Sequence, residues 1–290
     1  MNKLVAVTGA TGDVGGKTTK LLNEAGVPVR VIVRKQKQAN EFAEMGVDAR
    51  VADLDDPAAL TRALEGVDQL FLVVAATERQ AEHGANAVAA ARDAGVRAIV
   101  HLSSADAVED SPLPWGRAIW RVNELVRSSG LEYTLLHASG FMTNFEASAP
   151  AIRRGIFPQT IGRGQVPWID TPDIARVASQ ILQDGTHEGA EPILTGPELL
   201  DGRGIARELA AGVGRRVRYI HLPSRVFAVI LRATGVSAWK AEGLRQQFGR
   251  VARRGLDGVA TQTNDVERLT GRAPRSLADW ARSNRAALLG

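Results

Sequence analysis

A short apolar run that ends on a glycine-rich turn and reopens at once as a helix constrains this chain more than any other feature. Residues 4–16 read LVAVTGATGDVGG: a strand stopping at Thr8, then Gly9, Ala10, Thr11, Gly12, Asp13, Val14 and Gly15 in a G-x-x-G-x-x-G spacing. Gly9 permits the tight turn, Gly12 lets a backbone approach a pyrophosphate, and Gly15 allows close packing of helix on strand. Free N–H groups at the positive end of the helix dipole would then face the phosphates. Glycine spacing alone is weak evidence, but a strand before it and a helix after it make the segment a dinucleotide-binding loop.

The rest of the first half repeats the rhythm that such a loop requires. β-Branched runs at 4–7, 29–33, 49–51, 69–74, 98–102 and 133–136 alternate with helical stretches at 15–25, 57–64, 78–94 and 114–128. Gly26, Gly66, Gly95 and Gly130 follow those helices, where left-handed C-caps are expected. Alternation of this kind predicts βαβ units and a parallel sheet. Beyond residue 140, Gly and Pro punctuate shorter elements. Asp170-Thr171-Pro172-Asp173 reads as a helix start running to about Leu182. A strand is expected in PILTGPE, a helix over 204–211 and a strand in RVRYIHLP. The expected fold is α/β, a Rossmann-type doubly wound parallel sheet with a small C-terminal α/β substrate subdomain. Residues 1–145 would form the NADP(H)-binding domain and 146–290 the substrate side, interleaved as one compact unit.

The cofactor is chosen at the end of the second strand. An acidic residue there would hold a ribose 2′-hydroxyl, whereas arginine suits a 2′-phosphate. The sequence is VRVIVRKQKQ, with Arg34 in that place and Lys35 and Lys37 behind it. NADP(H) is therefore expected over NAD(H), against the alternative of a basic surface turn. Asp53 and Leu54 follow the third strand, where an adenine would lie, while Asp55-Asp56-Pro57 reads as the next helix cap.

These segments, with ADLDDPAALTRALEGVDQLFLV, AARDAGVRAIVHLSS, SGLEYTLLHASGFMTNF, DTPDIARVASQIL and VERLTGRAPRSLADWA, resemble the NmrA-like branch of the atypical short-chain dehydrogenase/reductases over nearly the whole chain. That branch includes quinone oxidoreductases, azoreductase-like and triphenylmethane-reductase-like enzymes, and redox-sensing regulators. The resemblance implies that Gly9 to Gly15 hold the pyrophosphate, Arg34 the 2′-phosphate, and Val73 to Thr77, hence Val74, Ala75 and Ala76, the ribose. It also implies that the loop Ser139-Gly140-Phe141-Met142-Thr143-Asn144 lies along the nicotinamide. One departure is His137-Ala138-Ser139, where many relatives carry an arginine-proline pair.

A second departure concerns the proton. The wider superfamily uses a tyrosine four residues before a lysine, because a phenol with an ordinary pKa near 10 needs a cation beside it to act as an acid. Counting back from Glu124 in PWGRAIWRVNELV places Trp120 at the lysine position and Gly116 at the tyrosine position. The chain has 2 tyrosines, Tyr133 and Tyr219, both within expected strands and assigned to packing. Ser103, expected to contact the cofactor, and Ser104 close the fifth strand. Ser104 is the better match to the family serine and the candidate catalytic hydroxyl, while a turn-capping role competes. His101 is expected to point into the sheet. Hydride delivery to a conjugated acceptor, with solvent supplying the proton, fits this inventory. Trp115, Trp120, Phe141, Phe145 and Trp168 are candidates for a flat apolar pocket, or for subdomain core.

Composition narrows the alternatives. With 290 residues and no cysteine, thiol nucleophiles, disulfides and cysteine-ligated metals are excluded, and the 5 histidines lack metal-ligand spacing. The 36 Lys and Arg against 32 Asp and Glu, a net of +4, are interspersed, so neither nucleic acid nor membrane is an expected partner. The exception is Arg245 to Arg254, with Arg250, Arg253 and Arg254 close together, read as a solvated or partner-facing helix. The expected partner is a small aromatic or quinone-like substrate, the expected location is cytoplasmic, and a homodimer is left open. The function that fits best is an NADPH-dependent oxidoreductase acting on a quinone-like or other conjugated aromatic acceptor, with a natural-product tailoring step among its forms. The competing function is a non-catalytic NADP(H)-sensing regulator that binds a protein.

Overall fold

Strands that are apolar on both faces need cover on both faces, and the N-terminal runs satisfy this by forming the interior of a sheet layered between helices. A computed structural model describes residues 3–185, 188–233, 235–251 and 261–290. The first strands are β1 (Val5–Thr8), β2 (Val29–Val33), β3 (Asp48–Val51), β4 (Gln69–Leu72), β5 (Ala98–Ser104) and β6 (Glu132–Ala138). With the short β8 (Ile193–Leu194) they form a 7-stranded sheet in the order β3-β2-β1-β4-β5-β6-β8. The pairs β1–β2, β2–β3, β1–β4 and β4–β5 are parallel, with Val5 opposite both Val29 and Gln69. The order turns back at β1, so the carboxyl ends of β1 and β4 flank a topological switch point, where open α/β sheets bind ligands.

The helices α1 (Asp13–Glu24), α3 (Pro57–Leu64), α4 (Gln80–Asp93) and α5 (Pro114–Arg127) fall where the sequence places them, within a few residues. All four expected cap glycines, Gly26, Gly66, Gly95 and Gly130, have φ between 71° and 78°. Asp56 caps α3 by accepting the Ala59 N–H at 2.9 Å, with Pro57 in the first turn. One helix was not anticipated: α2 (Gln36–Glu44) is so polar that Ala39 is its one buried residue, so no apolar period announced it. β4 ends two residues earlier than expected, at Leu72, and β5 runs on through Ser104.

The chain divides into two units, each drawn from three segments. The first comprises 1–109, 118–137 and 174–192, and the second 110–117, 138–173 and 193–290. In the first, Leu60, Leu70, Ile99, Val122 and Leu135 form a core between the sheet and α3, α4 and α5. In the second, Phe145, Phe157, Trp168, Leu209 and Trp280 do the same beneath a two-stranded parallel ribbon of β7 (Ile156–Gln159) and β9 (Arg218–His221). Around that ribbon lie mostly helices, including Gly202–Val213, Ser224–Ala233, Ala238–Gln246 and Leu277–Ser283. The helix expected from Asp170 runs over Thr171–Asp184. The Asp170 carboxylate there meets Arg275 Nη1 at 2.7 Å, and Asp173 Oδ2 accepts the Arg275 backbone N–H at 2.8 Å. No helix among the described residues is long and apolar enough to cross a membrane.

Candidate functional site

The turn after β1 is built from contacts that exclude side chains. Gly9 sits at φ +63°, and a Cβ there would lie 3.0 Å from Val73 Cγ1, so loop and β4 end are in direct contact. A Cβ on Gly15 would lie 2.4 Å from the Gly9 carbonyl oxygen, closer than any real contact. Gly15 therefore seats α1 on the loop itself, a tighter approach than helix on strand. Thr8 fixes the same junction from below: its Oγ1 accepts the Val73 N–H at 2.8 Å and donates to the Val73 carbonyl at 3.0 Å. Gly12 precedes α1 without any side-chain cap, and its N–H is spent on the Gly9 carbonyl at 2.9 Å. First-turn N–H groups of α1 are thus left for an acceptor supplied from outside. Asp13 is paired with Lys17 one turn on, while Ala10 and Val14 are buried and Thr11 is exposed.

Around this cradle, the other sequence candidates in the first unit hold distinct stations. Arg34 follows β2 directly, is exposed, and has no ion-pair partner among the described residues. Lys37 belongs to α2, is 87% exposed, and lies 3.9 Å from Glu41. Asp53 Oδ1 accepts the Asp55 N–H at 3.2 Å, and the Leu54 carbonyl accepts from Asn86 Nδ2 at 2.8 Å. Asp55 binds Arg79 at 2.7 Å and His83 at 2.9 Å. The loop after β3 is thereby tied to α4. Val74, Ala75 and Ala76 form the irregular segment that leaves β4, half-buried at Val74 and exposed beyond it.

The end of β5 is polar and crowded. Ser104 Oγ donates to Asp106 Oδ1 at 2.5 Å. Ser103 is buried, and its hydroxyl takes Asn123 Nδ2 at 2.9 Å and faces His137 Nδ1 at 3.3 Å. His137 Nε2 reaches Glu191 Oε2 at 3.1 Å, and Arg127 grips Glu191 at 2.7 and 2.6 Å. Sequence reading singled out Ser103 and His137 but not Glu191, which lies 54 residues beyond its histidine and carries no local signature. His101 points into the sheet as expected. Burial pushes its imidazole down to about 4, against the opposing effect of a 3.0 Å hydrogen bond to the Leu72 carbonyl.

Within the second unit, the loop from Ser139 is clamped along Trp168 and Ile169. The Gly140 carbonyl accepts the Ile169 N–H and the Ile169 carbonyl accepts the Met142 N–H, both at 2.9 Å. A Cβ on Gly140 would come within 2.5 Å of the Trp168 ring, so this glycine is required by the aromatic beneath it. Ser139 Oγ and Trp168 Nε1 are buried without hydrogen-bond partners among the described residues, two polar atoms that call for a ligand or water. Phe141 is half-buried and Asn144 exposed.

Phe145 and Trp168 are core, with ring centroids 4.7 Å apart. Trp115 is half-buried and meets Trp239 edge to face at 5.8 Å. Neither tyrosine is a free acid. Tyr133 packs on the first core, and the Tyr219 hydroxyl accepts the Gly162 N–H and donates to the Gln159 carbonyl. Of the arginine-rich stretch, Arg245 pairs with Glu242 at 2.6 Å, while Arg253 and Arg254 lie outside the described residues, as does the side chain of Arg250. Among the described residues no cluster of His, Asp and Glu could hold a metal ion.

Residues 1–271 match the model of the NmrA-like family. The chain is 34% identical over 285 residues to an NAD(P)H azoreductase of Xenophilus azovorans, covering 98% of this chain and 99% of that protein. It superimposes with a TM-score of 0.88 and 30% identity on an NADPH-dependent quinone oxidoreductase of Escherichia coli solved with NADPH, covering 96% of this chain and 99% of that one. A triphenylmethane reductase of Citrobacter solved with NADP(H) gives a TM-score of 0.87 at 25% identity, over 97% of this chain and 99% of that one.

Proposed function

Because the chain belongs to the NmrA-like family, we propose that it is an NADP(H)-dependent oxidoreductase whose hydride acceptor is a quinone-like or other conjugated aromatic molecule. The observation that carries this reading is the cradle after β1: an uncapped helix start beneath a left-handed Gly9, with no room for a side chain at Gly15. Bound there, NADPH supplies a hydride. Everything else is the work of the chain's own groups. Gly9 to Gly15 present backbone N–H groups and the helix dipole to the pyrophosphate. Arg34, exposed and without an ion-pair partner among the described residues, offers its guanidinium fork to the 2′-phosphate. Val74 to Ala76 and the Asp53–Leu54 loop border the ribose and adenine.

Acceptor chemistry follows from what the site lacks. With Gly116 and Trp120 in place of a tyrosine and lysine, no phenol can protonate a substrate alkoxide. An electron-poor conjugated acceptor spreads the added charge over its own π-system and takes its proton from water, so positioning supplies most of the catalysis. In this reading Ser104 orients an acceptor carbonyl, exchanging its bond to Asp106 for one to the substrate. Such acceptors include the aromatic intermediates of a natural-product tailoring step. The test is to titrate NADPH and NADH by tryptophan fluorescence, then to follow nicotinamide oxidation against quinones, azo dyes, cationic triphenylmethane dyes and enones. Tight NADPH binding with oxidation by at least one of them is expected. Tight binding without oxidation by any, even in a single turnover, would leave the sensing role as the function.

A further inference from the structure

Glu191 is clamped in a bidentate grip by Arg127, and that guanidinium, helped by His137, holds its carboxyl below the ordinary glutamate range. It is therefore ionised at neutral pH and can only accept hydrogen bonds. His137 Nε2, 3.1 Å from Oε2, must then carry a hydrogen. In the neutral ring this leaves Nδ1 as a lone pair. Nδ1 has two neighbours of opposite character, the Ser103 hydroxyl at 3.3 Å and the Ser104 carbonyl oxygen at 3.3 Å. A lone pair accepts the Ser103 proton and repels the carbonyl. A protonated Nδ1 donates to the carbonyl and leaves the Ser103 proton without that acceptor. Ser103 is 3% exposed and its oxygen already takes the Asn123 N–H, so either state is well defined.

We propose that His137 is a positioning residue for the end of β5: by gaining or losing one proton it switches Nδ1 between the Ser103 hydroxyl and the Ser104 carbonyl, and so sets the peptide from which the Ser104 hydroxyl is presented. The proposal rests on the oxidoreductase reading, in which Ser104 orients the acceptor. The charged and titratable groups facing His137 are Glu191 on the segment paired beside β6, Arg127 and through it Glu124 on α5, and His101 on β5. Three of them, Glu191, Arg127 and Glu124, belong to one ion-paired group. His101 is held neutral near neutrality by its burial.

Two measurements on the full chain decide the matter. The imidazole 15N spectra, assigned by comparison with His137→Asn, should show the Nε2–H tautomer of neutral His137, with loss of that signature as the ring takes a proton on acidification. An Nδ1–H tautomer would overturn the switch. Turnover of NADPH with the best quinone should show a step in kcat at the pH where that signature is lost, with the KM for NADPH flat. His137→Asn should lose the step while binding NADPH within about twofold of the wild type. A step that survives in His137→Asn, or a parallel collapse of NADPH binding, refutes the positioning role. If the wild type turns over no acceptor, the oxidoreductase reading fails, and the 15N spectra still decide the switch.

Discussion

Arg34 leaves β2 exposed and has no ion-pair partner among the described residues, although Glu41 and Glu44 lie on the next helix. An unpaired arginine at that one strand end is what a 2′-phosphate requires and a 2′-hydroxyl does not. Removing it takes away a charge-assisted hydrogen bond that NADH never makes. Arg34→Ala should therefore weaken NADPH binding by about 1.5–3 kcal/mol, roughly 10- to 150-fold, with little change for NADH. Calorimetric titration of both cofactors checks this, and equal losses for the two would remove Arg34 from the 2′-phosphate. Lys37, 87% exposed and facing Glu41, should matter far less in the same titration. At this scale the sequence was legible because a strand end fixes where a side chain must emerge. Ser104 was legible for the same reason, whereas its bond to Asp106 was not, since a two-residue turn leaves the hydroxyl free to rotate.

Between elements, a glycine that its own sequence context does not mark leaves no room for a side chain. Gly84 lies in the second turn of α4, where helix propensity alone would favour alanine by about 1 kcal/mol. A Cβ at that position would lie 2.3 Å from Cγ2 and 2.9 Å from Cγ1 of Val122 on α5. Valine cannot swing both methyl groups away, because χ1 is stiff and Val122 is fully buried. Gly84→Ala should therefore destabilise the protein, by about 1–3 kcal/mol of overpacking less the propensity gain. Val122→Ala in the same chain should recover most of that loss. Urea unfolding of the two single variants and the double variant measures the coupling, and simple additivity would sink the argument. Strands and the longer helices could be read from β-branched runs and glycine stops. By contrast α2 could not, since a helix that buries one alanine has no stripe to show. Gly84 could not either, because its reason is a methyl group 38 positions away on another helix.

For the whole molecule, the contacts least visible in the sequence are those closed by the turns of the chain between distant segments. Glu191 reaches His137 across 54 residues, and Arg275 reaches Asp170 across 105. Neither partner is predictable from spacing, although the sheet that brings the first pair together was predictable from its rhythm. The same layering encloses His101, and here burial has a consequence for global stability. Its imidazole is lowered to about 4 chiefly by desolvation, while an unfolded chain returns it to about 6.5. Between those values the unfolded state binds a proton that the folded state refuses, so stability must fall as pH drops. Above about pH 6.5 the contribution is complete, and below about pH 4 the loss levels off at about 3 kcal/mol, near 1.4 kcal/mol per pH unit across the window. His101→Asn keeps a donor for the Leu72 carbonyl and removes the titration. Its lost ring volume lowers stability by an amount independent of pH, and carboxylates common to both proteins cancel when the two are compared. Urea unfolding from pH 7.5 to 4.5 should therefore show the wild type losing its advantage over His101→Asn steadily below pH 6.5. Curves that remain parallel throughout would mean that the His101 proton is not what the folded core excludes.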